Sequence, residues 1–174
     1  MNEGAVEILD SHRTMAISTL RPDGWPQTTF VGYANRELTL YFLIFRSSQK
    51  LANIRRDMRV SLAVGGDEQE LSRLTAVYAA AHAIEITDSN ERTLAWRLLE
   101  ARHPNLLDFE LPDRTEAAMM KAICQYVTVL DFRRGPGHTE ELSVSEGAAQ
   151  TEAVKTDDWG TSAVKPGMLR RKGS

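Results

Sequence analysis

The 174-residue sequence has only one cysteine, Cys124, which excludes an intrachain disulfide and is typical of proteins from a reducing cytoplasm. No apolar run approaches the roughly 20 residues that a membrane-spanning helix needs. Positive charge is not in excess either, since the formal net charge is -3. This balance argues against binding nucleic acid or an anionic membrane through bulk charge. The acidic start, MNEGAVEILD, lacks the basic and apolar blocks of a secretory signal. We therefore expect a cytoplasmic globular protein.

Motifs for metal and dinucleotide binding are also missing. The four histidines share no ligand spacing with a cysteine or an acidic pair, which argues against a metal site. No Gly-x-Gly-x-x-Gly or phosphate-loop lysine motif occurs, which disfavours a dinucleotide fold. His82 is most simply interpreted as a partly buried imidazole in a strand. If that strand lines a cleft, His82 becomes a candidate for touching substrate.

Hydrophobic periodicity predicts a chain made mainly of strands. Residues 13–20 and 27–33 alternate as half-buried strands, and the Pro22-Asp23-Gly24 turn between them predicts a hairpin. Further strands are predicted at residues 37–45, 59–64, 74–86 and 124–132. Helices are predicted at residues 47–57, 88–103 and 114–122, after a short amphipathic lead-in around Val6, Ile8 and Leu9.

The strand at residues 37–45 ends in six apolar or aromatic residues, LYFLIF, and this run predicts cover on both faces. In a small chain, we expect the barrel interior to cover one face of this strand and a second subunit to cover the other. About six short antiparallel strands close most economically into a small barrel, because closure hides the sheet edges. Residues 1–135 form this predicted domain. Residues 136–174 are poor in large apolar residues and predict a polar arm or tail, in which the isolated Trp159 is expected to dock.

The segment FRSSQK changes character abruptly where the third strand gives way to a helix. Ser47, Ser48, Gln49 and Lys50 fall in the first helical turn, and Arg46 precedes it. Free N–H groups and the helix dipole at such a terminus favour an anion, and a phosphate ester would gain charge-assisted hydrogen bonds there. The simpler interpretation is that Ser47 only caps the helix and Lys50 is a solvated surface residue.

The order of several motifs resembles the pyridoxamine 5'-phosphate oxidase-like family of flavin-binding split barrels. The resemblance covers roughly residues 10 to 135. It rests on the turn LRPDGWP at residues 20–26, on Ser48-Gln49-Lys50, and on NIRRDMRV at residues 53–60. It implies a mainly β split barrel, six-stranded, antiparallel and of Greek-key type, with flanking helices. It also implies a homodimer that binds two FMN molecules between its subunits.

The resemblance further implies roles for particular residues. Ser48, Gln49 and Lys50, together with the neighbouring Ser47, would hold the FMN phosphate. Backbone groups of Thr28, Thr29 and Phe30 would lie along the flavin ring or ribityl chain. Leu43 and Ile44 would face the flavin from its apolar side.

Departures from the family pattern argue against oxidation of pyridoxamine phosphate itself. The oxidase usually has an arginine where Thr29 stands, a lysine near Ala34 and a Tyr-Thr pair near Leu43 and Ile44. Its C-terminal Trp-x-x-x-x-Gly-x-x-x-Arg ending is also missing. We therefore predict an FMN-dependent oxidoreductase with an unknown small-molecule substrate. The alternatives are a deazaflavin-dependent reductase and a non-catalytic module that binds flavin or haem.

Overall fold

A single antiparallel sheet forms the frame of the protein in the computed structural model, which describes residues 2–145 and 148–152. Its strands are β1 (Thr14–Leu20), β2 (Pro26–Gly32), β3 (Ala34–Arg36), β4 (Thr39–Phe45), β5 (Arg59–Gly65), β6 (Thr75–Glu85), β7 (Ala117–Asp131), β8 (Thr139–Ser145) and β9 (Ala148–Glu152). The helices are α1 (Glu3–Ser11), α2 (Gln49–Arg56) and α3 (Ser89–Arg102), with short 3-10 turns at Leu71–Arg73, Pro104–Asp108 and Phe132–Arg134.

The sheet has the order β2-β1-β5-β6-β7-β4-β3, with β8 added to β7 and β9 to β8. It curls so that β2 approaches β4 without a hydrogen-bonded ladder between them. The predicted mainly β split barrel with flanking helices is thereby confirmed. The described residues form nine strands where six were predicted, because β3, β8 and β9 were not foreseen.

The predicted β1–β2 hairpin is confirmed, with seven residues of each strand paired from Thr14–Gly32 to Leu20–Pro26. Its turn requires a glycine, since Gly24 has φ 86, a left-handed conformation that costs other residues energy. The Asp23 carboxylate accepts a hydrogen bond from the Trp25 N–H at 3.2 Å and helps to close the turn.

Strand β4 is covered on both faces, as predicted. On one face Phe42 is fully buried in the main core. On the other face Tyr41 packs in a second cluster with Trp96 and Leu99 of α3. The second cover of β4 is therefore helix α3 of the same chain, and the burial of Tyr41 requires no second subunit. The homodimer stays a prediction.

The helix predicted at residues 114–122 is wrong, because most of that segment belongs to the long strand β7. Alanine and methionine favour helices, but this segment pairs with β4 on one edge and with β6 on the other. Ala118 and Met119 are at most 1% exposed although their side chains point to opposite faces. Burial on both faces and pairing on both edges therefore override the local helix preference.

Strand β8 extends the sheet beyond residue 135. It pairs with the second half of β7, from Tyr126–Ser143 to Leu130–Thr139. The boundary predicted at residue 135 stays a prediction, and Trp159 lies outside the described residues. Within the described part of the chain, no helix is long and apolar enough to cross a lipid bilayer.

Candidate anion-binding site

Helix α2 begins directly after the buried strand β4, with Ser48 in the extended backbone conformation of an N-cap residue. The Ser48 side chain makes no capping hydrogen bond. Ser47 is exposed and is not the cap residue, so the simpler interpretation of Ser47 as a helix cap is not supported. Both hydroxyl groups and the N–H groups of Gln49 and Lys50 therefore remain available to an acceptor from outside the helix, whereas the Leu51 N–H donates to the Ser48 main-chain oxygen at 3.1 Å.

Lys50 carries a partly buried positive charge in this first turn. Burial lowers the pKa of its ammonium group below the usual 10.5. No carboxylate among the described residues lies close enough to form an ion pair with it. A partly desolvated ammonium without a counter-ion is costly, and an anionic ligand would offset that cost.

The arginines around α2 have partners already. Arg46 forms a bidentate ion pair with Glu85, with N–O distances of 3.0 and 2.5 Å. Arg55 also reaches Glu85, at 3.4 Å. Arg56 donates to the main-chain oxygens of strand β1 and its turn at 2.9 Å. Among the described residues, Lys50 is therefore the cation at the start of α2 that remains available to a ligand.

A buried polar network fixes α2 against the β1–β2 hairpin. The amide nitrogen of Asn53, which is fully buried, donates to the Thr19 hydroxyl at 3.0 Å and to Gln27 Oε1 at 3.1 Å. The Gln49 side chain in turn donates to Asn53 Oδ1 at 2.9 Å. The start of α2 is therefore held rigidly above the inward face of the hairpin. Neither Asn53 nor Gln27 was predicted as part of the site.

Thr29 lies two residues beyond Gln27 on β2, so both side chains point to the same, inward face of the strand. The Thr29 hydroxyl oxygen is buried and has no hydrogen-bond partner among the described residues. An unsatisfied buried hydroxyl costs about 1–3 kcal/mol. A polar group of a ligand between β2 and α2 would satisfy it.

The other predicted site residues lie elsewhere around the barrel. Thr28 points to the outer face, where its hydroxyl lies 2.7 Å from the Ser18 hydroxyl. Phe30 shares that face and is 82% exposed. Leu43 packs against the cluster under α3, and the Ile44 side chain is 2% exposed in the core. Leu43 can therefore reach a ligand mainly through its backbone groups, whereas the backbone groups of Ile44 bond Ala118 of β7.

Strand β2 is an edge of the described sheet, because β1 is its only partner among the described strands. The backbone N–H and C=O groups on its other side face the gap towards β4 without a ladder. Such an edge offers a row of donors and acceptors to a ligand. The inward Thr29, the free edge of β2 and the start of α2 together form a candidate site for an anionic ligand with a polar body.

The sequence profile of the pyridoxamine 5'-phosphate oxidase family matches residues 1–130 of the chain. Among curated protein sequences, none matches the chain significantly.

Solved structures similar to the chain agree on its fold. A haem-binding protein from Mycobacterium smegmatis has a TM-score of 0.70 at 19% identity; the match covers 82% of this chain and 57% of that protein. The chain thus spans little more than half the length of that relative. A FAD-binding protein from Mesorhizobium loti has a TM-score of 0.59 at 18% identity, with 74% and 93% covered. HutZ, a haem storage protein from Vibrio cholerae, has a TM-score of 0.59 at 16% identity, with 71% and 89% covered.

Proposed function

The chain belongs to the pyridoxamine 5'-phosphate oxidase-like family, and on this premise we propose that it binds FMN and acts as a flavin-dependent oxidoreductase. The observation that carries the proposal is the partly buried Lys50 ammonium, which has no counter-ion among the described residues and lies in an uncapped first helical turn. A phosphate monoester supplies the charge and the acceptor oxygens that this arrangement lacks.

Bound FMN would supply the hydride or electron chemistry, so the protein needs no catalytic triad. The protein's own groups bind and orient. Lys50 would pair with the phosphate, while Ser47, Ser48 and Gln49 would donate hydrogen bonds to its oxygens. Thr29 offers its unsatisfied hydroxyl to the polar chain of the cofactor.

The flavin ring would lie along the free edge of β2, where backbone groups of Thr28 and Phe30 would bind it; the backbone groups of Thr29 point to Ile17 of β1. Backbone groups of Leu43 lie on the facing strand β4. A second copy of the chain would cover the ring and the exposed Phe30, which gives a homodimer with the cofactor at its interface. We place this dimer in the cytoplasm.

A second candidate function is non-catalytic binding of haem or another planar ligand. The fold similarity to the haem-binding protein from Mycobacterium smegmatis favours it. It also fits the departures from the family pattern at Thr29, Ala34 and Ile44. Deazaflavin in place of FMN is a further variant, because its phosphate would use the same helix start.

The state of the purified protein distinguishes these functions. We expect a yellow protein that releases a phosphate-bearing flavin identifiable by mass, and a flavin that NAD(P)H reduces in stopped-flow measurements. If the protein is colourless and takes up deazaflavin, its cofactor is deazaflavin and not FMN. A protein that binds haem and ignores both flavins would overturn the oxidoreductase proposal.

A further inference from the structure

Helix α2 runs along the β1–β2 hairpin in matching steps. At its end, Arg56 donates to main-chain oxygens at the end of β1 and the start of the turn, both at 2.9 Å. One turn earlier, Asn53 bonds Thr19 and Gln27, which are cross-strand partners. Four helical residues advance about 6 Å and two strand residues about 7 Å. The next turn back therefore brings the start of α2 over the following inward position of β2, Thr29.

The side-chain amide of Asn53 is fixed in one orientation by its partners. Its nitrogen donates to Thr19 Oγ1 and Gln27 Oε1, and its oxygen accepts from Gln49 Nε2. A primary amide has two N–H donors, so both are used. In the reverse orientation one N–H of this fully buried side chain would lack an acceptor, which is costly. Gln27 must therefore turn its oxygen towards Asn53.

The amide nitrogen of Gln27 is consequently turned away from Asn53. It has no hydrogen-bond partner among the described residues. Gln27 is partly buried on the inward face of β2, and Thr29, the next residue on that face, carries the buried hydroxyl without a partner. Two neighbouring unpaired groups thus lie beneath the start of α2, where a ligand would meet both.

The two sides of this site offer donors from different directions. The start of α2 supplies the Lys50 ammonium, the Ser48 hydroxyl and main-chain N–H groups from the helix side. Gln27 supplies its N–H groups from the hairpin side. A phosphate monoester has three terminal oxygens that point in different directions, and hydrogen bonds to these charged oxygens are strong. Donors on opposite sides therefore suit a phosphate better than a planar carboxylate.

We propose that Gln27 is a further ligand-binding residue, whose amide donates to the phosphate of a ligand held at the start of α2. Asn53 is the positioning residue that keeps this amide in its donating orientation. The inference rests on the proposed FMN binding and adds to it a phosphate contact from the hairpin. The Gln27 and Asn53 side chains that make it belong to the same chain as α2, so this contact needs no second subunit.

The test titrates the full-length protein, freed of bound flavin, with FMN and with riboflavin by flavin fluorescence. Gln27→Met removes the donor and also one acceptor of the Asn53 amide. Thr19→Val is the matched control, because it removes the other acceptor of the same amide. Both variants should lose similar stability in urea. Gln27→Met should bind FMN about tenfold more weakly than Thr19→Val, as expected for one hydrogen bond to a charged group. Riboflavin, which lacks the phosphate, should bind both variants equally.

The outcomes separate this inference from the proposed function. Equal FMN affinities of Gln27→Met and Thr19→Val would show that Gln27 only supports α2, and would overturn the inference while FMN binding stands. A matching loss with riboflavin would place Gln27 at the ring or ribityl chain and overturn the phosphate contact. An unmodified protein that binds no FMN would overturn the proposed function and this inference with it.

Gln27→Glu keeps the inference testable if Gln27→Met does not fold. Its carboxylate still accepts from Asn53 but has no N–H for a phosphate. FMN affinity should fall at least about tenfold, because the donor is lost and a like charge is added. Gln69→Glu makes the same change in the exposed loop after β5 and should leave FMN affinity unchanged. Equal FMN affinities of these two variants would overturn the phosphate contact.

Discussion

The side-chain amide of Asn53 and the hydroxyl of Thr19 meet in a buried hydrogen bond of 3.0 Å that joins helix α2 to strand β1. Asn53→Ala removes this donor and leaves Thr19 and Gln27 unsatisfied. We expect a loss of about 1–3 kcal/mol in the free energy of unfolding, measured by urea denaturation. Gln49→Ala leaves a single acceptor, Asn53 Oδ1, without its donor, and should therefore cost less than Asn53→Ala. Equal losses would show that the Asn53 network does not anchor α2.

Lys50→Ala tests the phosphate contact. Loss of a charge-assisted hydrogen bond costs about 1.5–3 kcal/mol, so FMN affinity should fall roughly 10- to 100-fold by fluorescence titration of the apoprotein. Arg36→Ala removes an exposed positive charge on β3 and should have little effect. If both variants bind FMN equally well, Lys50 does not hold the phosphate.

The dependence of FMN affinity on pH follows from the lowered pKa of Lys50. Only the ammonium form attracts a phosphate. In the free protein, burial favours the neutral amine, so the ammonium is lost at a lower pH than the usual 10.5. Bound phosphate favours the ammonium and raises its pKa. Affinity should therefore fall as pH rises through the lowered pKa of the free protein.

Lys50→Arg is the control for this titration, because an arginine keeps its charge throughout that range. Its FMN affinity should stay level between neutral pH and 10.5 while that of the unmodified protein declines. A parallel decline in both proteins would assign the pH dependence to another group.

Tyr33→Phe tests the attachment of helix α1. The buried Tyr33 hydroxyl donates to the Leu9 main-chain oxygen at 2.6 Å, and Arg102 lies 5.8 Å over its ring. Loss of this hydroxyl should lower the free energy of unfolding by about 1 kcal/mol. Tyr126→Phe is the matched control, since that ring is 43% exposed, and should change stability little. A Tyr33→Phe protein as stable as Tyr126→Phe would contradict a structural role for this bond.

The residue pattern of a segment predicted its structure correctly where the pattern matches the segment's burial in the fold. The β1–β2 hairpin has its turn chemistry in the sequence, and LYFLIF shows the double burial of β4 directly. The helix prediction for residues 117–122 was wrong because the burial of this segment comes from pairing with β4 and β6, which lie far away in the chain. Its alanines and methionines carry no local sign of that environment.

The charged residues of the candidate site can be read from the sequence, but the residues that support them cannot. Lys50 and its serines stand out where an apolar strand becomes a helix. Asn53 does not stand out, because its partner Thr19 is 34 residues away and a polar residue is common on a helix. The only local signal is a polar residue between Leu51 and Ile54, on the buried side of α2.

Strand β7 is the last piece that joins the two halves of the sheet, since β6 lies on one side of it and β4 on the other. During synthesis, the ribosome releases both halves before the residues that connect them. Until about residue 131 has left the exit tunnel, each half therefore ends in an open edge that could pair with a neighbouring nascent chain. Shortening the protein before that point should produce insoluble material and not a smaller barrel.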